Sequence, residues 1–281
     1  MITPHEVIAD IAAVAAHYDD LDLFYRTIWG THVHHGYWKT GNENREEAVL
    51  NLTRLVAEQA GVQAGDRVCD MGCGYGATAM VLAREYKAKV TALTVSRRQY
   101  EFARSRNSRS VDLDFFLRDA LDNQLEAESF DCVLSIESSE HMKDKLAFFT
   151  EVNRLLRPGG RFVVAAWLTR EQPAPWESRY LLEPICVEGR LPSLASASEY
   201  QDMLSRAGLR EIVFRDLTRQ VQKTWTICAA RFVSKIITEP SLRSRIFDPH
   251  FPNRVFAKAV FRMWMAYKTG SMRYGLFSAQ K

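Results

Sequence analysis

No stretch of this sequence stays apolar for the roughly 18 residues that a membrane-crossing helix needs, and no basic stretch followed by a hydrophobic signal core opens it. Both absences predict a cytoplasmic protein without stable membrane insertion. Cysteine is scarce and odd in number. Cys69, Cys73, Cys132, Cys186 and Cys228 leave one over in any pairing, and three of them sit in strand-like or glycine-loop contexts. A disulfide framework is therefore not expected, and a reducing compartment is. An excess of one charge is lacking too: 37 basic and 34 acidic residues are interspersed and leave a net +3. No block of charge suggests a nucleic-acid partner. Internal repeats and low-complexity tracts are also missing.

What is present is enough apolar content, 47% of 281 residues, to build one large domain or a domain with an insertion. From Asp66 onward strand-like and helix-like segments alternate, the pattern of a parallel sheet flanked by helices. Strands are expected at Arg67 to Met71, Lys89 to Thr94, Asp112 to Leu117, Phe130 to Ile136 and Arg161 to Trp167. Helices are expected to start near Ala77, Ser96 and Asp144, the last with Phe148, Phe149, Val152, Leu155 and Leu156 on one face and Pro158-Gly159-Gly160 as its stop. An amphipathic helix from Asn44 to Ala60, ended by Gly61, precedes the first strand. Beyond Trp167 the pattern gives a helix near Ser198 to Ala207 and a strand from Leu209 to Phe214. A long helical segment from Leu217 to Gly270 follows, read as an insertion capping the sheet, then a final strand from Met272 to Ala279.

Asp70-Met71-Gly72-Cys73-Gly74-Tyr75-Gly76 joins the first strand to a helix. Glycines there allow a tight turn and close ligand approach, and the N–H groups of a helix start favour a negative group. Asp70 stands before the glycines, where it would meet a cationic amino group such as that of methionine and repel a pyrophosphate. A dinucleotide fingerprint also wants an acid at the end of the second strand, and Ala92-Leu93-Thr94-Val95 has none. At the next helix, Ser96-Arg97-Arg98-Gln99 offers Gln99 as a ribose partner, or else as the return half of a capping box with Ser96. Gln99 can serve only one of these. Asp119 and Ala120 end the third strand, where the carboxylate and the following N–H can read adenine; a solvated loop acid is the alternative.

With those residues in place, the sequence resembles the class I methyltransferases, within them the tocopherol-methyltransferase-like group, related to sterol and cyclopropane-fatty-acid methyltransferases. Trp29 to Trp38, Val68 to Ala77 and Ser135 to Lys145 carry the likeness, which is strong from about His17 to Arg170. It implies S-adenosyl-L-methionine as cofactor and an α/β Rossmann-like fold: a mostly parallel seven-stranded sheet with an N-terminal helical lid and a C-terminal helical cap. Residues 1–42 would be the lid, 43–168 the cofactor half and 169–281 the acceptor cap with the closing strands of one domain. Leu93-Thr94-Val95-Ser96 with Gln99 looks like the lipid-modifying branch, whose members also lack the ribose acid. By the same resemblance Tyr18, His34 and His35 lie on the lid over the methionine end, and Ile136 packs near the adenosine.

Methyl transfer from a sulfonium needs in-line positioning, exclusion of water and removal of charge that develops on the acceptor. Glu137, Glu140 and His141 follow the fourth strand, where a carboxylate or imidazole can take up that proton. Alternatively, Glu140 and His141 hold their loop together and Glu137 binds the lid. His32, His34 and His35 lack accompanying ligands for a metal. Tyr18, Phe24, Tyr25, Trp29, Tyr37 and Trp38 before the sheet, and Trp167, Trp176 and Tyr180 after its fifth strand, suit a sulfonium, a developing carbocation or an isoprenoid-like chain, or simply build core. Trp225, Phe232, Phe261 and Trp264 are expected to bury their own helices. The expected acceptor is a small hydrophobic metabolite methylated on carbon, such as a prenylated phenol, a terpenoid or a lipid. N- or O-methylation of an alkaloid or phenol is the second expectation, and a cofactor-binding protein without transfer chemistry, a partner or a cyclase, the third. An oligomer is compatible with the sequence.

Overall fold

A computed structural model of the chain describes residues 1–4, 10–107, 110–240, 243–244 and 256–281. Two N-terminal helices, α1 (Ile11–Asp20) and α2 (Asp22–Ile28), lead through an extended segment to α3 (Arg45–Gln59). Then come β1 (Arg67–Met71), α4 (Ala77–Glu85), β2 (Lys89–Thr94), α5 (Arg97–Arg106), β3 (Leu113–Leu117), β4 (Phe130–Ile136), α6 (Lys145–Leu155) and β5 (Leu156–Thr169). Helix α7 (Pro175–Glu177) runs through a π-helical turn, Ser178–Leu182, into α8 (Glu183–Gly189). The chain closes with α9 (Ala197–Arg206), β6 (Arg210–Asp216), α10 (Thr218–Val221), α11 (Lys223–Thr238), α12 (Phe256–Thr269) and β7 (Met272–Gln280). Most of the expected Leu217 to Gly270 segment is thus helical; its residues 241–242 and 245–255 lie outside the described residues.

The seven strands form one sheet in the order β3-β2-β1-β4-β5-β7-β6. Only β7 runs antiparallel to its neighbours. Strands β1, β4 and β5 are buried along most of their length, as a sheet covered on both faces requires. The reversal of strand order falls between β1 and β4, whose carboxyl ends therefore face a crevice where a ligand can sit. Chain termini of the helices follow local chemistry. Asn44 accepts from the Glu47 N–H while the Glu47 side chain accepts from the Asn44 N–H, a reciprocal cap that starts α3. Val49, Leu52, Leu55 and Val56 are its buried face.

The largest boundary difference from expectation is at β5. Helix α6 ends at Leu155, and β5 begins at once with Leu156 rather than at Arg161. Phe130 pairs with Leu156 and Cys132 with Arg161, so Arg157 to Gly160 bulge out of the ladder. Pro158-Gly159-Gly160 therefore acts as a bulge inside the strand, because proline has no N–H to pair and Gly159 adopts a φ of +75°.

Candidate active site

Met71 carries β1 into the glycine loop, whose Gly72 and Cys73 N–H groups donate back to the Leu93 carbonyl at 3.0 and 2.8 Å. Gly72 has a φ of +92°, and a Cβ there would collide with Ser138. Ser138 Oγ in turn donates to the Met71 carbonyl at 2.5 Å and bonds Ser135 Oγ at 2.8 Å. Only glycine lets the loops after β1 and β4 approach so closely. At Gly74 a Cβ would meet nothing within 4 Å, which leaves open space beside the loop.

Asp70 is 2% exposed, and its Oδ2 has no hydrogen-bond partner among the described residues. Burial pushes the carboxyl up to about 7. An unpaired buried carboxylate is expensive, and an ammonium reaching it from the adjoining cavity would satisfy it. That cavity, about 330 Å³, is lined by Asp70, Gly72, Gly74, His32, His34 and Ile136 among others. His34 Nδ1 donates to the His35 carbonyl at 2.8 Å, so its Nε2 is left to accept from His32 Nδ1 at 3.0 Å. Burial lowers the pKa of both rings, that of His32 to about 3.

A larger cavity of about 710 Å³ continues along the carboxyl ends of β2 and β3 and contains Thr94, Gln99, Asp119 and Ala120. Here the Gln99 side chain does not complete a capping box with Ser96. Its backbone N–H donates to Ser96 Oγ at 3.1 Å, but its side chain turns inward, where Oε1 accepts from Thr94 Oγ1 at 3.0 Å. The carboxylate that completes the cap comes instead from α1: Asp19 Oδ1 accepts from Ser96 Oγ at 2.5 Å and from the Arg98 N–H at 3.1 Å. Asp19 thus pins α1 to the start of α5, and α1 covers this cavity with Ile11, Val14 and Tyr18. Asp119 Oδ1 accepts from the Leu121 N–H at 2.9 Å, which fixes its carboxylate at the cavity wall.

A third chamber of about 640 Å³ shares Tyr18, Val33, Glu137 and His141 with that cavity. Tyr18, Tyr25, Trp29, Trp167 and Trp225 give it aromatic walls, and Ile185, Leu191, Ala259 and Met263 close it from the C-terminal side. Trp225 both lines the chamber and buries its helix, whereas Phe232 is core. Phe261 is exposed, as are Trp176 and Tyr180, which do not line the chamber the sequence had suggested for them. Phe24 and Trp38 are core, and Tyr37 and Trp264 pack partly buried against it.

Two glutamates three residues apart have opposite surroundings. Glu137, with a left-handed φ of +53°, is saturated. Its Oε1 accepts from the His35 N–H at 2.7 Å, His35 Nδ1 at 3.0 Å and Tyr274 Oη at 2.8 Å, and its Oε2 from Trp167 Nε1 at 2.7 Å. Burial pushes this carboxyl up, but the His35 ring and N–H outweigh it and hold the pKa at about 2. Glu137 is therefore ionised and ties the N-terminal segment to β5 and β7. His35 is committed as well, since Nδ1 donates to Glu137 and Nε2 accepts from Trp225 Nε1 at 2.7 Å. Its ring lines the chamber. Glu140 has far less support: Oε1 accepts from the Trp167 N–H, while Oε2 has only Ser139 Oγ at 3.4 Å. Burial, reinforced by the Glu137 charge, raises its pKa to about 8.

His141 Nε2 lies 2.8 Å from Tyr18 Oη. Burial raises the Tyr18 hydroxyl far above the ordinary tyrosine range, so Tyr18 keeps its proton and donates it to the imidazole. His141 is lowered to about 4, first by burial and then by the Lys145 charge, against an opposing backbone carbonyl of Arg190. Lys145 was given no role by the sequence. Its buried Nζ donates to the carbonyls of Glu140, Met142 and Ser193 at 3.1–3.3 Å and to Ser193 Oγ at 2.9 Å, which fixes the turn that presents Glu140 and His141. A lysine at the first position of a helix after an Asp cap offered the only hint. All five cysteines are buried and unpaired.

A family model described as mycolic acid cyclopropane synthetase matches residues 5–278. The chain is 34% identical over 220 residues to 27-O-demethylrifamycin SV methyltransferase of Amycolatopsis mediterranei, a match covering 76% of this chain and 80% of the relative. It is 28% identical over 289 aligned positions to the chloroplastic tocopherol O-methyltransferase of Arabidopsis thaliana, covering 95% and 81%. Among solved structures, the mycolic acid cyclopropane synthase CmaA1 complexed with SAH and CTAB superposes with a TM-score of 0.85 at 23% identity, over 99% of both chains.

Proposed function

The chain belongs to the mycolic acid cyclopropane synthetase family, as an S-adenosylmethionine-dependent methyltransferase, and we propose that it methylates a hydroxyl of a small, largely apolar metabolite. The observation that carries this is the Tyr18–His141 hydrogen bond, set where the cofactor cavity and the aromatic chamber share a wall. Bound S-adenosylmethionine supplies a methyl group already activated on a sulfonium. Asp70 would hold its ammonium, Thr94 and Gln99 the ribose, Asp119 and Ala120 the adenine, with Ile136, Gly72 and Gly74 against the nucleoside and His34 near the methionine end.

In the chamber the acceptor hydroxyl donates to Tyr18 Oη, whose own proton already points at His141 Nε2. Once the acceptor oxygen is methylated, its O–H proton would pass to Tyr18 Oη as Tyr18 gives its own to His141 Nε2, so that the imidazole holds the proton released by transfer. A methylated hydroxyl still carrying its proton is strongly acidic, so an imidazole with a pKa near 4 suffices, and at neutral pH it is unprotonated and ready. Glu137 acts by holding His35, Trp167 and Tyr274 in place around the reacting centre. The chamber volume lies within the roughly 300–1,000 Å³ of small-molecule sites, and its lining suits a prenylated phenol, a terpenoid or a lipid-like alcohol. Two relatives named for O-methyl chemistry support oxygen as the methylated atom.

Carbon methylation is the second reading, favoured by Trp29, Trp167 and Trp225, whose ring faces suit a carbocation. The division into a lid (1–42), a cofactor half (43–168) and an acceptor cap (169–281) belongs to the proposal, as does a cytoplasmic setting; among the described residues no helix is long and apolar enough to cross a membrane. Incubation with cofactor carrying a ¹³C-methyl and a panel of prenylated phenols tests the choice of atom. An O-methyl carbon resonance is expected, and a label found only on ring or chain carbon overturns it.

A further inference from the structure

We propose that Glu140 serves as a neutral carboxylic acid that donates a hydrogen bond to a second oxygen of the acceptor, so that the chamber selects molecules bearing an oxygen acceptor group beside the hydroxyl to be methylated. This rests on the reading of the chamber as the acceptor site. Glu140 lines the chamber and is 2% exposed. Among the described residues no cation touches its carboxyl: Lys145 Nζ reaches its backbone carbonyl instead. Oε1 is taken by the Trp167 N–H. Oε2 lies 3.4 Å from Ser139 Oγ, which is already bonded to Tyr200 Oη at 3.0 Å. Burial and the ionised Glu137 nearby disfavour a negative charge here, and they outweigh the Trp167 N–H and the Lys145 ammonium, which favour one.

Environments that drive two carboxyls apart assign them different roles. Glu137 faces four donors and can only accept. Glu140 faces one good donor, so at neutral pH its second oxygen carries the proton and offers it to the chamber. With no lysine or arginine among the chamber's lining residues, a neutral oxygen is the group this donor fits, rather than a carboxylate or phosphate.

Two measurements test this. Infrared difference spectra of the wild-type protein titrated from neutral to alkaline pH should show a protonated-carboxyl band that fades as the pH rises through about 8 and is missing from Glu140→Gln. Binding of 4-geranylphenol and 4-geranyl-2-methoxyphenol to the cofactor-loaded protein, followed by tryptophan fluorescence, should favour the methoxy compound about tenfold. Glu140→Gln, which keeps a donor, should retain that preference also above pH 8, and Glu140→Leu should lose it. A wild-type spectrum without the band, or equal affinity for both probes, overturns the inference while leaving methyl transfer untouched. Failure of both phenols to become methylated, with the band and the preference present, counts instead against the O-methyl reading.

Discussion

The cavity at the ends of β1 to β3 and the chamber beside β4 and β5 are finished to different degrees. On the first side polar capacity is left open, with Asp70 Oδ2 unpaired and free space beside Gly74. On the second side the side chains have mostly found one another, with Glu137 holding four donors and both His35 nitrogens committed. On the proposed reading the first region is completed by a charged, polar ligand, and the second stays rigid around a largely apolar one. Tyr18 and His141, at the shared wall, are where the two meet.

If that division holds, substitutions should separate binding from chemistry. The largest effect is expected from His141→Ala, which should lower kcat by about 10²- to 10⁴-fold with the cofactor Kd unchanged. A parallel loss of cofactor affinity would merge the two regions. Next comes Asp70→Ala, which should weaken the cofactor Kd by about a hundredfold or more while the chamber still binds a prenylated phenol. Retained cofactor affinity would remove Asp70 from the site.

The smallest effect is on stability. Glu137→Gln should lower unfolding free energy by about 2 kcal/mol, measured by denaturant titration at neutral pH. Because the folded pKa of Glu137 lies below its unfolded value, its contribution is present above about pH 4.5 and lost as the pH falls towards about 2. The wild-type acid limb should therefore flatten in the variant, and an unaltered limb would mean that the four donors do not stabilise the charge.

The same contrast explains what could be read in advance. Asp70, Gly72 and Gly74 lie within five consecutive residues, and Thr94 and Asp119 sit at or just past expected strand ends, so their gathering at the carboxyl ends of β1 to β3 was legible. Gln99 was ambiguous because the capping acid, Asp19, comes from a helix 77 residues away. The chamber draws single residues from many segments, among them Tyr18, Trp29, Trp167, Leu191, Trp225 and Met263. No local pattern distinguishes those aromatics from Trp38 in the core or Trp176 in solvent. Lys145 was hidden because its role depends on carbonyls brought to it by a distant loop. The π-helical turn at Ser178–Leu182 likewise left no readable periodicity.

Calorimetric titration of the wild-type protein with S-adenosylmethionine across neutral pH tests the Asp70 anchor most directly. With the free carboxyl poised at about 7 and only its ionised form able to grip an ammonium, affinity should peak between about pH 7 and 8, fall about tenfold for each pH unit below that as Asp70 takes up its proton, and fall again at higher pH as the ligand's α-amino group loses its own at about 8. An affinity that does not change between mildly acidic and mildly alkaline solution would contradict the account.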